Sequence, residues 1–280
     1  MTWLRSALLC SFAVVSTPGC AADVDSLDVE DTALTGDGRF TSVCDFVRHR
    51  ADDPIVFPGQ PGASHVHSFF GALETNAFST YESLQGSGTS CEFAGDTAAY
   101  WIPSLLVRGA PVSPVVAKIY YNTGHKDGAS IRPFPPRLQM IAGDAHARAD
   151  EPQSLRVVDW ACSAGMALDQ TVAPHSCFGT GNRIEAHVRF PDCWDGVHVN
   201  PPDHRSHMAY SERGVCPSGW VPVPKIVLAI EWGISSADGV SLSSGGAHTL
   251  HADFYNSWDQ AALRSAIDRC LHAGVGCGRL

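Results

Sequence analysis

Short apolar stretches, each bounded by glycine, proline or small polar residues, recur along most of the chain. "AYWIPSLLVRG" (residues 99–109), "SPVVAKIYYN" (113–122), "RLQMIAGD" (137–144), "SLRVVDWAC" (154–162), "RIEAHVRFP" (183–191) and "PKIVLAIEWG" (224–233) each read as a strand of five to eight residues. Their length and spacing predict an all-β fold, a β-sandwich or a jelly-roll-like single domain. One segment near the end has a helical period instead. In "SWDQAALRSAIDRCLH" (257–272), Leu263, Ile267, Cys270 and Leu271 fall on one face, with Ser257 as the expected cap and Gly274 beyond the end. This short C-terminal helix is expected to pack on the sheet.

The N-terminus follows a different pattern. Arg5 precedes an apolar run from Ala7 to Val15 and then small residues, the layout of an export signal over residues 1–20. The run is too short to anchor a mature protein across a bilayer. Gly19-Cys20 raises a second reading, a lipoprotein signal with Cys20 as the acylated first residue, although Thr17 and Pro18 match the usual small-apolar box poorly. Membrane attachment is expected only through such a lipid on Cys20. Residues 21–38 read as an acidic disordered spacer, and residues 39–280 as the β-rich domain.

Six of the chain's 29 acidic residues and one of its 19 basic residues precede position 39, which leaves 23 against 18 in the domain. A mildly acidic surface of this kind gives no support to nucleic-acid binding, which needs a basic face. Of the ten cysteines, two belong to the signal region. The other eight, Cys44, Cys91, Cys162, Cys177, Cys193, Cys216, Cys270 and Cys277, include no CxxC pair. They therefore read as disulfide staples of a protein located outside the cytoplasm, secreted or held at the cell surface. Cys270 with Cys277 is expected to close the loop after the helix; the sequence leaves the other pairings open.

Candidate chemistry gathers in four stretches: "SHVHSFFG" with His65 and His67, "FPDCWDGVHVN" with Asp195, "DHRSHMAY" with His204 and His207, and "TLHADFYNSW" with His251 and Asp253. In a strand, positions i and i+2 share a face, so His65 and His67 form a natural half of a metal site, and His251 pairs with Asp253 in the same way. His204 and His207, three apart, come together only on a helical turn. Two or three imidazoles with a carboxylate suit zinc or copper. A metal-free alternative is glycoside hydrolysis by two carboxylates drawn from Asp195, Glu82 of "TYESL" and Asp253, with Trp101, Trp194 and Trp258 stacking on sugar rings. GxSxG, phosphate loops and dinucleotide fingerprints do not occur.

The segments "DPIVFPGQPGASHVHSFFG", "STYESLQGSGTSC", "DTAAYWIPSLL", "FPDCWDG", "DHRSHMAY" and "HADFYNSW" together resemble a family of secreted bacterial and fungal proteins known as a domain of unknown function. The resemblance covers most of residues 50–260 and implies an extracellular domain in which His65, His67, Glu82, Asp195, His204, His207, His251 and Asp253 sit at signature positions. It also implies a polysaccharide ligand, since members of the family are often fused to carbohydrate-binding modules. Ser211 departs from the pattern, where proline is expected.

The resulting expectation is an exported, metal-dependent hydrolase acting on polysaccharide or cell-wall material. In it His65, His67 and one of His204, His207 or His251 hold zinc or copper, and Asp195 or Glu82 activates water. The alternatives are a non-catalytic surface protein that binds glycan through tryptophans and a metal-free two-carboxylate glycosidase.

Overall fold

The computed structural model describes residues 38–163, 169–179 and 181–280. The predicted export signal, Cys20 and all of the spacer except Gly38 lie outside these residues. The strands of the two large sheets are, in chain order, β1 (Arg39–Cys44), β2 (Phe46–Arg50), β3 (His67–Gly71), β4 (Ala99–Pro103), β5 (Pro114–Asn122), β6 (Gln139–Gly143), β7 (Val158–Cys162), β8 (Ile184–Arg189), β9 (Lys225–Trp232), β10 (His251–Tyr255) and β11 (Gly276–Arg279). A six-stranded sheet runs β11-β1-β5-β9-β8-β7, and a five-stranded sheet runs β2-β3-β4-β10-β6. Neighbours are antiparallel except β1 with β11, a parallel pair that ties the last strand to the first. The protein is all-β, with each of the six predicted stretches supplying a strand.

Alternation explains how the sheets meet. Phe40, Ile119, Tyr121, Val188 and Leu228 point inward from one sheet and Phe70, Tyr100, Ile102, Met140 and Phe254 from the other, forming one apolar cluster. The hydroxyls of Tyr100 and Tyr121 meet across the sheets at 2.6 Å, and Trp258 Nε1 donates to Tyr121 at 2.9 Å. The polar tips of these large buried rings thereby satisfy one another.

The five-stranded sheet is covered on its outer face as well. Every residue of β3, β4 and β10 is buried. A second cluster of Phe69, Trp101 and Tyr255 packs there against Ile55 and Leu84 of the connecting segments.

The C-terminal helix forms over Gln260–Ala266 and continues as a π-helical turn, Ile267–His272. Leu263, Ile267, Cys270 and Leu271 are buried as the periodicity predicts. The cap is Asp259 rather than Ser257: its carboxylate accepts from the N–H groups of Ala261 and Ala262, both at 2.9 Å. Ser257 instead donates its hydroxyl to the Thr97 carbonyl at 2.6 Å, because burial of the adjacent Trp258 keeps this stretch extended along the sheet.

The eight domain cysteines form four disulfides: Cys44–Cys91, Cys162–Cys177, Cys193–Cys216 and Cys270–Cys277. Four staples of this kind belong to a protein that matures in an oxidising compartment. Among the described residues no helix is long and apolar enough to cross a membrane.

Candidate functional site

In β10, Ala252 and Phe254 face the core, which sends His251 and Asp253 to the outer face. In β3, Phe70 faces the core and His67 goes outward. Across the ladder Asp253 stands opposite Trp101 of β4 and Ile141 of β6, and His251 opposite Gly143. The sheet therefore collects two imidazoles, a carboxylate and an indole on one buried surface.

His65 joins them from outside the sheet. β3 begins at His67, so the HxH pair is not contained in a strand, yet the two rings still lie together, 4.3 Å apart between centroids. His65 and His251 are 5.0 Å apart by the same measure, and His67 and His251 5.9 Å. One ligand nitrogen of each of the three histidines lies within 4.8 Å of the others. His67 also belongs to a second group of the same tightness with carboxylate oxygens of Asp53 and Asp253.

Hydrogen bonds fix which ring nitrogens are free. His67 donates from Nδ1 to the Asp52 carbonyl at 3.0 Å, and His251 from Nδ1 to the Thr249 carbonyl at 2.8 Å. A carbonyl can only accept, so Nε2 of each ring keeps its lone pair. Backbone carbonyls behind imidazoles are the usual way of orienting histidine ligands. The Nε2 atoms of His65 and His67, Oδ2 of Asp253 and Nε1 of Trp101 are all buried with no hydrogen-bond partner among the described residues. Such orphaned atoms are costly and need a cause.

Burial sets the protonation of the cluster. It pushes the pKa of His65 and His67 below the usual imidazole range, and that of His251 down to about 4, with the neighbouring histidines adding to the shift of the last two. All three rings are therefore neutral at pH 7, the form that binds metal. Burial also pushes Asp253 well above the usual carboxylate range, reinforced by Asp53 beside it. The cost of both charges falls if a cation sits among them.

The "DHRSHMAY" segment forms a wall along the edge strand β6. His207 donates from Nε2 to the Gln139 carbonyl at 2.7 Å, which leaves its buried Nδ1 without a partner. His204 bonds Asn200 at 2.6 Å through Nδ1, and Asn200 bonds the Gln139 side chain at 2.5 Å. The two histidines lie on turns rather than one helical face: His204 is half-buried at φ 58°, while His207 is fully buried. The His65–His67–His251 group includes neither of them.

The other sequence candidates have local partners. Glu82, on a short helix over Tyr81–Gln85 capped by Thr80, is exposed and paired with Arg137. Asp195 accepts from the backbone N–H groups of Val197 and His198 at 2.8 and 2.9 Å, and its other oxygen meets His198 Nδ1 at 2.7 Å. Trp101 and Trp258 are fully buried and offer no stacking face. Trp194 is half-buried and donates to the His198 carbonyl at 2.6 Å. The expected aromatic platform for sugars is therefore not formed, because the core and the outer-face cluster take up these rings.

Sequence reading passed over Asp53, the Trp101 indole as part of the site, and Arg205. Asp53 opens the first signature segment, where its Oδ1 accepts from the N–H groups of Ile55 and Val56 at 2.8 and 2.9 Å and holds the covering turn. Two further groups with metal-like composition, around Cys44–Cys91 and Cys162–Cys177, have their sulfurs committed to disulfides.

The model of the family described as "Domain of unknown function (DUF1996)" matches residues 53–258. The match spans most of the chain, and the chain belongs to this family. Searches of curated proteins and of solved structures return no match.

Proposed function

With that family membership as the premise, we propose that the protein is an exported metal-dependent hydrolase of polysaccharide. His65, His67 and His251 hold zinc or copper through nitrogen, and Asp253 serves the attacking water. The observation that carries this reading is the coincidence of orphaned buried ligand atoms on one surface: Nε2 of His65, Nε2 of His67 and Oδ2 of Asp253. A structural polar cluster would pair these atoms with one another or with the backbone.

The residues around the cluster then divide the work. The carbonyls of Asp52 and Thr249 hold the His67 and His251 rings with Nε2 facing the cluster. Asp253 Oδ2, ionised when a cation sits beside it, accepts the proton that water gives up as its oxygen attacks the glycosidic carbon; the bond from that carbon to the leaving sugar's oxygen breaks, and that oxygen takes up a proton from solvent. Trp101 Nε1, opposite Asp253 in the ladder, donates to that water and orients it. A bound zinc or copper ion supplies Lewis-acid polarisation and lowers the pKa of water toward neutrality. The polysaccharide substrate rests on the resemblance to secreted proteins that carry carbohydrate-binding modules, and export rests on the N-terminal pattern and the four disulfides.

The test is release of reducing ends from a panel of polysaccharides by protein stripped with chelator and then reloaded with zinc or with copper. Activity that is lost on stripping, restored by one metal and absent in Asp253→Asn is the expected result. Hydrolysis that survives complete stripping overturns the reading.

A further inference from the structure

Arg205 lies at the edge of the imidazole cluster, on a turn that leaves it little freedom. The Asp203 carboxylate accepts from the N–H groups of Arg205 and Ser206, each at 3.1 Å, and from the Ser206 hydroxyl at 2.9 Å. His204 beside it sits in the left-handed region at φ 58°, a conformation that needs surrounding contacts to hold it. Its bond to Asn200 and the anchoring of His207 on Gln139 supply them.

The guanidinium donates to the Gly143 carbonyl at 2.8 Å, and Gly143 faces His251 across the β6–β10 ladder. Gly143 itself has φ +78°, and a Cβ there would lie 2.6 Å from the Leu250 carbonyl oxygen and 2.8 Å from the His251 Cα. Only glycine fits between the guanidinium's anchor and the histidine. Arg205 is exposed, and among the described residues no carboxylate lies in ion-pair contact with it. Its charge nevertheless acts on both His251 and Asp253. The other titratable groups around this rim are Asp144, which acts on His251, His146, which acts on His65, and His204, which acts on Asp53.

A fixed cation beside a cluster suited to bind a cation is unfavourable unless it has work of its own. Its planar fork matches the oxygens of a carboxylate or a sulfate, and among the described residues the guanidinium makes no hydrogen bond besides the one to Gly143. We propose that Arg205 binds an anionic group of the substrate, so that the polysaccharide is an acidic one with a carboxylate or sulfate close to the bond that is cut. This rests on the hydrolase reading above and supplies its substrate class.

The experiment is affinity electrophoresis of the exported protein in polygalacturonate, its methyl-esterified form, a sulfated galactan and a neutral β-glucan, with metal content measured on the same samples. Wild type is expected to be retarded by a charged polymer and not by the methyl ester or the neutral glucan. Retardation by polygalacturonate alone or by the sulfated galactan alone identifies which anion is read. Arg205→Gln weakens that binding about tenfold or more, as expected for a lost charge-assisted pair, Arg205→Lys recovers part of it, and metal content is unchanged in both. Equal retardation by charged and neutral polymers, retardation by none, or an Arg205→Gln protein that binds like wild type overturns the proposal. A wild type without metal defeats the hydrolase reading instead, so the two failures are separable.

Discussion

On the outer face of the six-stranded sheet, Asp159, Glu185 and Arg189 are buried around His187, and each polar group there meets a partner. His187 bonds Asp159 through Nδ1 and Glu185 through Nε2, both at 2.8 Å; Arg189 pairs with Asp159, and Lys118 reaches Glu185 at 3.5 Å. On the outer face of the five-stranded sheet, His67, Asp253 and Trp101 are just as buried, and each keeps a polar atom without a partner. Both faces bury histidine beside carboxylate, and they differ in saturation. A saturated network does structural work and has no capacity left for a ligand, whereas an unsaturated one gains free energy when a ligand completes it. The difference also shows in protonation. Burial opposes charge on both faces, but the hydrogen bonds to Asp159 and Glu185 overcome it and raise His187 to about 9, while His251 is lowered to about 4.

Disturbing the saturated face should have the largest effect. Asp159→Asn leaves His187 and Arg189 without their shared carboxylate, and removal of one partner from a buried ionic network costs about 3–5 kcal/mol. Urea unfolding should show that loss while bound metal per molecule stays constant. A variant of undiminished stability that had lost metal would reverse the roles assigned to the two faces.

Next in size is the pH dependence of the same network. The folded pKa of His187, about 9, lies above its ordinary 6.5. Its contribution is therefore complete below pH 6.5 and is lost as pH rises through 9, on the order of 3 kcal/mol in all. The urea midpoint of wild type should fall toward that of His187→Gln between pH 6.5 and 9.5, and a constant gap between the two proteins would contradict the assignment.

Metal should act on the other face at comparable or smaller size. Free zinc or copper at a hundred times its dissociation constant stabilises the native state by about 2.7 kcal/mol through linkage. Thermal unfolding should show this in wild type and not in His65→Gln. The smallest effect is that of His65→Gln on the metal-stripped protein, expected within about 1 kcal/mol, because the substitution removes a group that had no partner to lose. A large destabilisation there would mean that the imidazole cluster is itself structural.

Much of the fold was legible in the residues. The six apolar stretches became strands because their alternation has one solution once both sheets bury a face, and the apolar stripe of the C-terminal helix holds as read. The helix cap moved from Ser257 to Asp259 because Trp258 had to reach the Tyr100–Tyr121 pair between the sheets, a long-range demand that helical periodicity does not register. The i, i+2 spacing of His251 and Asp253 and the pairing of His65 with His67 pointed to residues that the fold brings together. Asp53 and Arg205 were missed, and Trp101 was assigned to sugar stacking, because each comes from a different element and reaches the cluster only through sheet register or a covering turn. Glu82 and Asp195 stood out in the sequence for the chemistry of a carboxylate, and the fold gives them Arg137 and His198 as partners.

The measurement to make first is the metal content of the oxidised protein, beside His65→Gln and His251→Gln, with near-ultraviolet circular dichroism to show that all three share one fold. Close to one zinc or copper ion per wild-type molecule is expected, and little in either variant. A folded wild type that carries no metal, and takes up none when zinc or copper is added, would contradict it.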